Sequence, residues 1–276
     1  RKKADRTRRL YLWYMDKFLG FTGSDLGVKD PDGFLAWAKT RGESLEVQDV
    51  IDKFVEGQPS GIQAGATVAI RSFLKRNGYT QLPSIDWRSS AKSFHRGYRR
   101  EEVQQLLGFL DDKLQKLYVL IAKDSGLRAH DLLSLRYRHV KKDLEAGMEF
   151  CHLYLEPSYY DKRKAAGITF IGPNAVRLLR QLGREGVIGS GNEERVLPFA
   201  YTTISDALRL ARRKAGLELE IQPSHGLRKF FENNLDRVGM DHHKKLQLEG
   251  HSQGVRWHYT DRDVEELRKL YQQAYQ

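Results

Sequence analysis

The sequence predicts a mainly α-helical protein with one small antiparallel β element, an α+β chain of two domains. Three observations predict it. Apolar residues recur at three- and four-residue spacing along most of the 276 residues, which is the helical period. That period gives way once, near residue 150, to two short runs of strand character. A basic stretch, AKSFHRGYRR at 91–100, then separates two helical blocks and reads as a linker. At roughly 100 to 200 residues per domain, the length suits this division.

In order along the chain, RTRRLYLWYMDKFLGFTG, PDGFLAWAKTRG, LEVQDVIDKFVEG and GIQAGATVAIRSFLKRNG each carry a helical stripe and end at Gly. They make a first helical domain over 1–88. Its aromatics Trp13, Tyr14, Phe34 and Trp37 fall at helical spacing and read as core and not as base-stacking groups. The linker takes 89–100 and a second domain 101–276. There EEVQQLLGFLDD, KLQKLYVLIAKDSG and the short RAHDLLSLRY read as helices. MEFCHLYLE and AGITFIG read as strands flanking the polar PSYYDKRKAA, a hairpin. Helices resume at PNAVRLLRQLG, TTISDALRLARRKAG, SHGLRKFFENNLDRVG, DHHKKLQLEG and DVEELRKLYQQAYQ.

Forty-seven Lys and Arg against 36 Asp and Glu leave a formal charge of +11. That excess points to a polyanionic partner, because a basic surface gains affinity for nucleic acid by releasing condensed counterions. Residues 91–100 carry +4 of it, as much as the ninety residues before them, with Lys92, Arg96, Arg99 and Arg100 and no acid. These four are candidates for DNA backbone contacts, against the blander reading of a solvated charge run. No apolar run reaches the roughly 18 residues of a spanning helix, so no membrane partner is expected. A single Cys151 and no secretory signal fit a reducing, cytoplasmic setting in association with DNA. The chain opens at Arg1 and not at Met, which leaves room for an upstream arm.

Several chemistries lose their usual support. The chain has no GxxxxGK[ST] loop, HExxH, CxxC or GxSxG. His242 and His243 are adjacent and cannot share a helical face, so they read as a solvated helix start, and no metal site is expected.

What remains is cationic. Arg128 follows a Gly-Leu step at a helix start, where its planar fork can face a phosphate, and Asp131 three residues on can hold it. A plain surface ion pair is the equal alternative on this segment alone. In PSHGLRKFF, His225 and Arg228 share a face near a helix N-terminus, an anion site in kind. LEGHSQGVRWHY follows, with His251 and Tyr259 eight residues apart. The order is Arg, basic hairpin, HxxR, GHS and then Tyr, within one basic domain.

In that ordered set, GLRAHDLLSL, HGLRKFF and LEGHSQGVRWHY, the sequence resembles the tyrosine recombinase (phage integrase) family over about 98–276. The tail looks most like integrases of archaeal viruses, plasmids and related mobile elements. The resemblance implies a two-domain DNA clamp, a helical core-binding domain closing with a catalytic domain around a duplex recombination site. It implies Tyr259 as nucleophile, leaving a 3′-phosphotyrosyl bond and a free 5′-hydroxyl, with Arg128 and Arg228 stabilising the charged transition state. His225 would accept the proton or bind phosphate, His251 would add a hydrogen bond, and Asp131 would orient Arg128. A hairpin Lys would be the general acid, with Lys162 preferred and Lys164 open. No ATP, redox cofactor or obligatory metal follows from this chemistry, since the phosphotyrosyl bond conserves the energy of the broken one. The stripe of the last helix implies docking on a neighbouring protomer and a homotetramer on DNA.

Glu249 stands where a Leu or Met is usual in the family and either alters the site's charge balance or faces solvent. Tyr271 is the rival phenol to Tyr259. Alternatives are a chromosome or plasmid dimer resolvase, a type IB topoisomerase-like enzyme, a hairpin telomere resolvase, and a helix-turn-helix binding protein over HGLRKFFENNLDRVGMDHHKKLQLEGHS.

Overall fold

The computed structural model describes residues 5–41, 45–83, 95–155, 168–217, 221–249 and 263–275. They form two compact units, Arg1–Ser90 and Ala91–Gln276. Along the described residues the chain is helical apart from one antiparallel strand pair, the α+β class expected.

The first unit holds α1 (Asp5–Asp25), α2 (Pro31–Thr40), α3 (Glu46–Glu56) and α4 (Ser60–Arg76). Asp30 caps α2, accepting from Gly33 N at 2.8 Å, and Pro31 occupies the first turn, where its missing N–H costs nothing. The core centres on Phe18, edge-on to Phe34 at 4.8 Å and to Phe54 at 5.2 Å, with Ile51, Ile70 and Leu74 around it. Tyr14 and Phe34 are core residues as expected. Trp37 is half-buried, stacked on Phe34 and beneath the Arg41 guanidinium, while Trp13 departs from the expectation and stands 43% exposed.

The second unit is built on α6 (Lys113–Ser125), whose run Leu117–Ala122 is apolar on every side and buried. Asp112 caps it through Leu114 N and Gln115 N, and Gly126 ends it in the left-handed conformation. Around α6 lie α5 (Arg100–Gly108), α7 (Ala129–Leu133), α8 (Arg138–Glu145), α9 (Pro173–Arg184), α10 (Tyr201–Lys214), α11 (Pro223–Arg237), α12 (His242–Leu248) and α13 (Val264–Tyr275). The strands β1 (Cys151–Tyr154) and β2 (Ile168–Ile171) pair antiparallel, Cys151 opposite Ile171 and Leu153 opposite Thr169. Both are shorter than the sequence runs that predict them. The α8 helix is not expected from periodicity, because its buried face is His139, Val140 and Asp143.

That polar face makes a hub. Asp143 accepts from His152 N (2.8 Å), Tyr154 OH (3.0 Å) and Arg268 Nη1 (2.8 Å). Burial pushes its carboxyl upward, but the His152 N–H and Arg268 outweigh burial and hold its pKa below the usual range. The Asp143–Arg268 pair is buried on both sides. Breaking such a pair from one side costs about 3–5 kcal/mol.

The apolar stripe of α13 is not exposed, which corrects the sequence reading. Leu267, Tyr271 and Ala274 pack within the same chain against Ile168, Phe170, Phe231, Leu235 and Leu248. Tyr271, the rival nucleophile, is a core residue at 2% exposure, and burial drives its phenol pKa well above the ordinary value.

His152 is buried with its ring 4.2 Å from Tyr154 and 5.4 Å from Phe170, and burial lowers its pKa to about 4. The fold therefore holds the neutral imidazole, whereas the unfolded chain protonates near 6.5. Its contribution is complete above pH ~6.5 and is lost as pH falls toward ~4, a loss of roughly 3 kcal/mol. Urea midpoints measured between these pH values should fall steeply for wild type, and His152→Phe should flatten that decline. A parallel slope in the variant would remove His152 as its cause.

Candidate active site

Arg128, Asp131, His225 and Arg228 come together where the turn after α6 meets the first turns of α11. Arg128 takes the N-cap position of α7 with extended backbone (φ −69°, ψ 151°) and an exposed side chain. Leu127, Leu132 and Leu135 anchor the turn in the core as expected, while Leu133 is only half-buried. Asp131 is buried just behind. Burial raises its pKa, and the charges of Arg128, His130 and Arg228 pull the other way.

Pro223 starts α11, and Ser224 Oγ lies 2.6 Å from the buried Tyr118 hydroxyl of α6, which fixes the helix start. His225 stands exposed in that first turn. Partial burial first, then the cations Lys229, Arg228 and Arg128, lower its pKa below 6.5, so the neutral imidazole prevails at neutral pH. One turn on, Arg228 is only 7% exposed. Its Nη1 donates to the Gly126 carbonyl at 2.5 Å, its Nε to Glu232 Oε1 at 3.0 Å, and its Nη2 to the Glu249 carbonyl at 3.5 Å. The Gly126 carbonyl thus joins the turn that carries Arg128 to the helix that carries His225 and Arg228.

Two glycines make this approach possible. Gly126 has φ +61°, and a Cβ there would lie 2.3 Å from Phe231 Cδ1 on α11. A Cβ on Gly226 would lie 2.6 Å from Ile221 Cγ2 and 2.8 Å from Tyr98 Cε2. Tyr98 is buried there, donating its backbone N–H to the Gly226 carbonyl at 3.3 Å, and Lys229 Nζ donates to the His95 carbonyl. Residues 95–99 are therefore docked on α11, within a stretch whose composition reads as linker.

The four basic candidates of that stretch separate accordingly. Arg96 is committed to Glu102 by two hydrogen bonds, at 2.7 and 2.6 Å, and serves the fold. Arg99 and Arg100 are exposed at the start of α5, and Lys92 lies outside the described residues. So do Lys162 and Lys164, between β1 and β2 in the chain, and His251 and Tyr259, between α12 and α13.

Sequence reasoning misses Glu232 and the Gly126 carbonyl. For Glu232 the i,i+4 spacing from Arg228 was the available signal. Glu249 does not face solvent. Its carboxyl is buried 3.7 Å from Lys245, and its pKa is raised by burial and then by Glu232. His242 and His243 are exposed at a helix start capped by Asp241. Among the described residues no group of three or more His, Cys, Asp or Glu could hold a metal ion, and no helix is long and apolar enough to cross a membrane.

Residues 98–265, more than half of the chain, match the Phage integrase family, and the protein belongs to that family of tyrosine recombinases. The fold is similar to that of the XerH site-specific recombinase in a post-cleavage complex with its difH substrate (14% identity, 87% of this chain and 77% of that one, TM-score 0.57). It is also similar to a lambda integrase dimer bound to a COC′ core site (15% identity, 80% and 78% covered, TM-score 0.52). A lambda integrase tetramer bound to a Holliday junction is a third (17% identity, 98% and 82% covered, TM-score 0.51). A search of curated proteins finds no match.

Gly126→Ala would combine a left-handed backbone penalty with a clash against Phe231, about 3 kcal/mol in all. Gly147, at φ +78° with nothing within 4 Å of a Cβ, is its control and should lose only about 1 kcal/mol on substitution by Ala. Denaturant midpoints of the two variants test this. Equal losses would show that the Phe231 contact sets no limit.

Proposed function

We propose that this protein is a site-specific DNA recombinase that cleaves and rejoins strands through a 3′-phosphotyrosyl intermediate, serving integration and excision of a mobile element. The observation that carries the reading is the cluster of Arg128, Asp131, His225 and Arg228 at one turn, with a neutral imidazole between cations. Such donors suit a phosphodiester passing through a pentacoordinate state, because preorganised charge costs no reorganisation when the reaction occurs. Membership of the integrase family supports the same class of activity.

In this reading Tyr259 attacks the phosphorus and the 5′-oxygen leaves. A phenol near pKa 10 needs its proton removed, and in this reading neutral His225 accepts it or binds the phosphate. Lys162, or else Lys164, protonates the leaving oxygen, His251 adds a hydrogen bond, and Asp131 orients Arg128. The bond energy is conserved, so neither ATP nor a redox cofactor is used, and the arginines replace the metal of a two-metal nuclease. The domains at 1–88 and 101–276, joined by 89–100, close as a clamp on duplex DNA, with Arg99 and Arg100 tracking phosphates. The active assembly is a homotetramer on the recombination site, the state in which one solved lambda integrase is bound to a Holliday junction. A helix-turn-helix repressor has no need of an Arg228 that is buried and bonded to a carbonyl of another element.

Wild type and Tyr259→Phe incubated with nicked duplex containing the cognate site in EDTA, followed by a denaturing gel and peptide mapping, test the reading. Wild type should form an adduct mapping to Tyr259, Tyr259→Phe should bind without forming it, and Arg228→Ala should lose about 100-fold or more in cleavage. An adduct on another residue would displace Tyr259, and no adduct on the cognate site would favour a binding protein. DNA affinity should also fall steeply with salt, and a flat dependence would count against a phosphate footprint.

A further inference from the structure

We infer that Glu232 is a positioning residue for the strand-cleavage reaction, holding the Arg228 guanidinium in the plane from which it engages the scissile phosphate. The inference rests on the recombinase reading above and assigns a part to a residue outside the set that the sequence motifs supply.

Glu232 lies one turn beyond Arg228 on α11, with Oε1 3.0 Å from Nε. An exposed i,i+4 pair of this kind is mobile and contributes little. This one is not exposed, since the Arg228 side chain is 8% accessible and that of Glu232 28%. The guanidinium is a rigid plane, and its contacts come from three elements: Glu232 on its own helix at Nε, the Gly126 carbonyl of the α6–α7 turn at Nη1, and, at a long 3.5 Å, the Glu249 carbonyl at Nη2. The Nε and Nη1 bonds are the short ones, and together they set the plane. The Gly126 carbonyl is neutral, so the charge-assisted half of the grip is supplied by Glu232. The other carboxyls near Arg228 suit this part less. Asp131 and Glu249 are both buried and both have raised pKa values, and Glu249 reaches Arg228 through its backbone carbonyl. His225 also feels the charge of Glu232, so the carboxylate acts on both members of the cluster that α11 carries.

The opposite part is conceivable for a carboxylate on a phosphate-binding arginine. A competitor would occupy Arg228 until DNA displaced it, and its removal would speed cleavage. Positioning and competition thus differ in the sign of one measurement.

The experiment uses the full chain and a nicked duplex carrying the site that the wild type cleaves. Single-turnover adduct formation is measured at saturating DNA, and Kd for the same duplex is measured separately. Glu232→Ala should slow cleavage about 10- to 100-fold, as expected for a misaligned transition-state donor, with Kd unchanged to within about twofold. Glu232→Gln keeps an acceptor oxygen at the same reach but loses the charge, and its rate should fall between those of Glu232→Ala and the wild type. In an Arg228→Lys background, which lacks the planar fork, Glu232→Ala should have no further effect, because a residue acting through Arg228 has nothing left to orient. Cleavage by Glu232→Ala at or above the wild-type rate would overturn the assignment, a faster rate naming Glu232 as a competitor. An equal added loss in the Arg228→Lys background would also overturn it, since the effect would then bypass Arg228. Should Glu232→Ala fail to fold, Glu232→Gln carries the test on its own, and a Gln variant that cleaves at or above the wild-type rate would overturn the assignment. No adduct from the wild type would instead sink the recombinase reading itself.

Discussion

The candidate site depends on one hydrogen bond, from Arg228 to the Gly126 carbonyl. It satisfies a backbone acceptor at the end of the most buried helix of the second unit, where α6 would otherwise leave a carbonyl without an intrahelical donor. The same bond holds, at Nη1, a guanidinium that little solvent reaches, and Glu232 pairs its charge at Nε. Two demands of folding, capping a helix and giving a buried guanidinium an acceptor, are thus met by a single contact, which also links the turn of Arg128 to the helix of Arg228. The left-handed Gly126 is the geometric condition for it, because any side chain there would meet Phe231.

A second polar centre, Asp143, does comparable work elsewhere. It ties α8, the first hairpin strand and the terminal helix into one body through His152, Tyr154 and Arg268. The segments that carry Lys162 and Lys164, and His251 and Tyr259, join this body at β1, β2 and α13. The apolar stripe of α13 is satisfied inside the chain. Any contact between protomers made by this helix must therefore use its other faces or exchange the packing seen here.

Much of the fold was legible because burial writes a period into the sequence. The four helices of the first unit, α6, α9, α11 and α13 all follow stripes of apolar residues, and the hairpin follows a switch from one period to another. That Arg128, Asp131, His225 and Arg228 sit at helix starts was legible through spacing, whereas their grouping came only from the ordered motifs of the family resemblance. Other features had no such signature. The α8 helix buries His139 and Asp143, which periodicity counts as solvent-facing. Glu232 looked like any surface acid one turn from an arginine, since the burial of that arginine arises from α6, far away in sequence. Whether a stripe is covered by its own chain or by another is decided by partners that a stripe does not name, and the α13 reading erred there. Trp13 likewise carried helical spacing but lies outside the packed face. In AKSFHRGYRR the charges dominate composition, while one aromatic and the chain's docking on Gly226 decide the packing.

That last segment has a mechanical meaning. Within the second unit the chain meets α11 at His95, Gly97 and Tyr98 before it enters α5. The stretch just before α5 is thus fastened to the first turns of α11, beside His225 and Arg228. A pull on the backbone at His95 would load that helix before it reached α5.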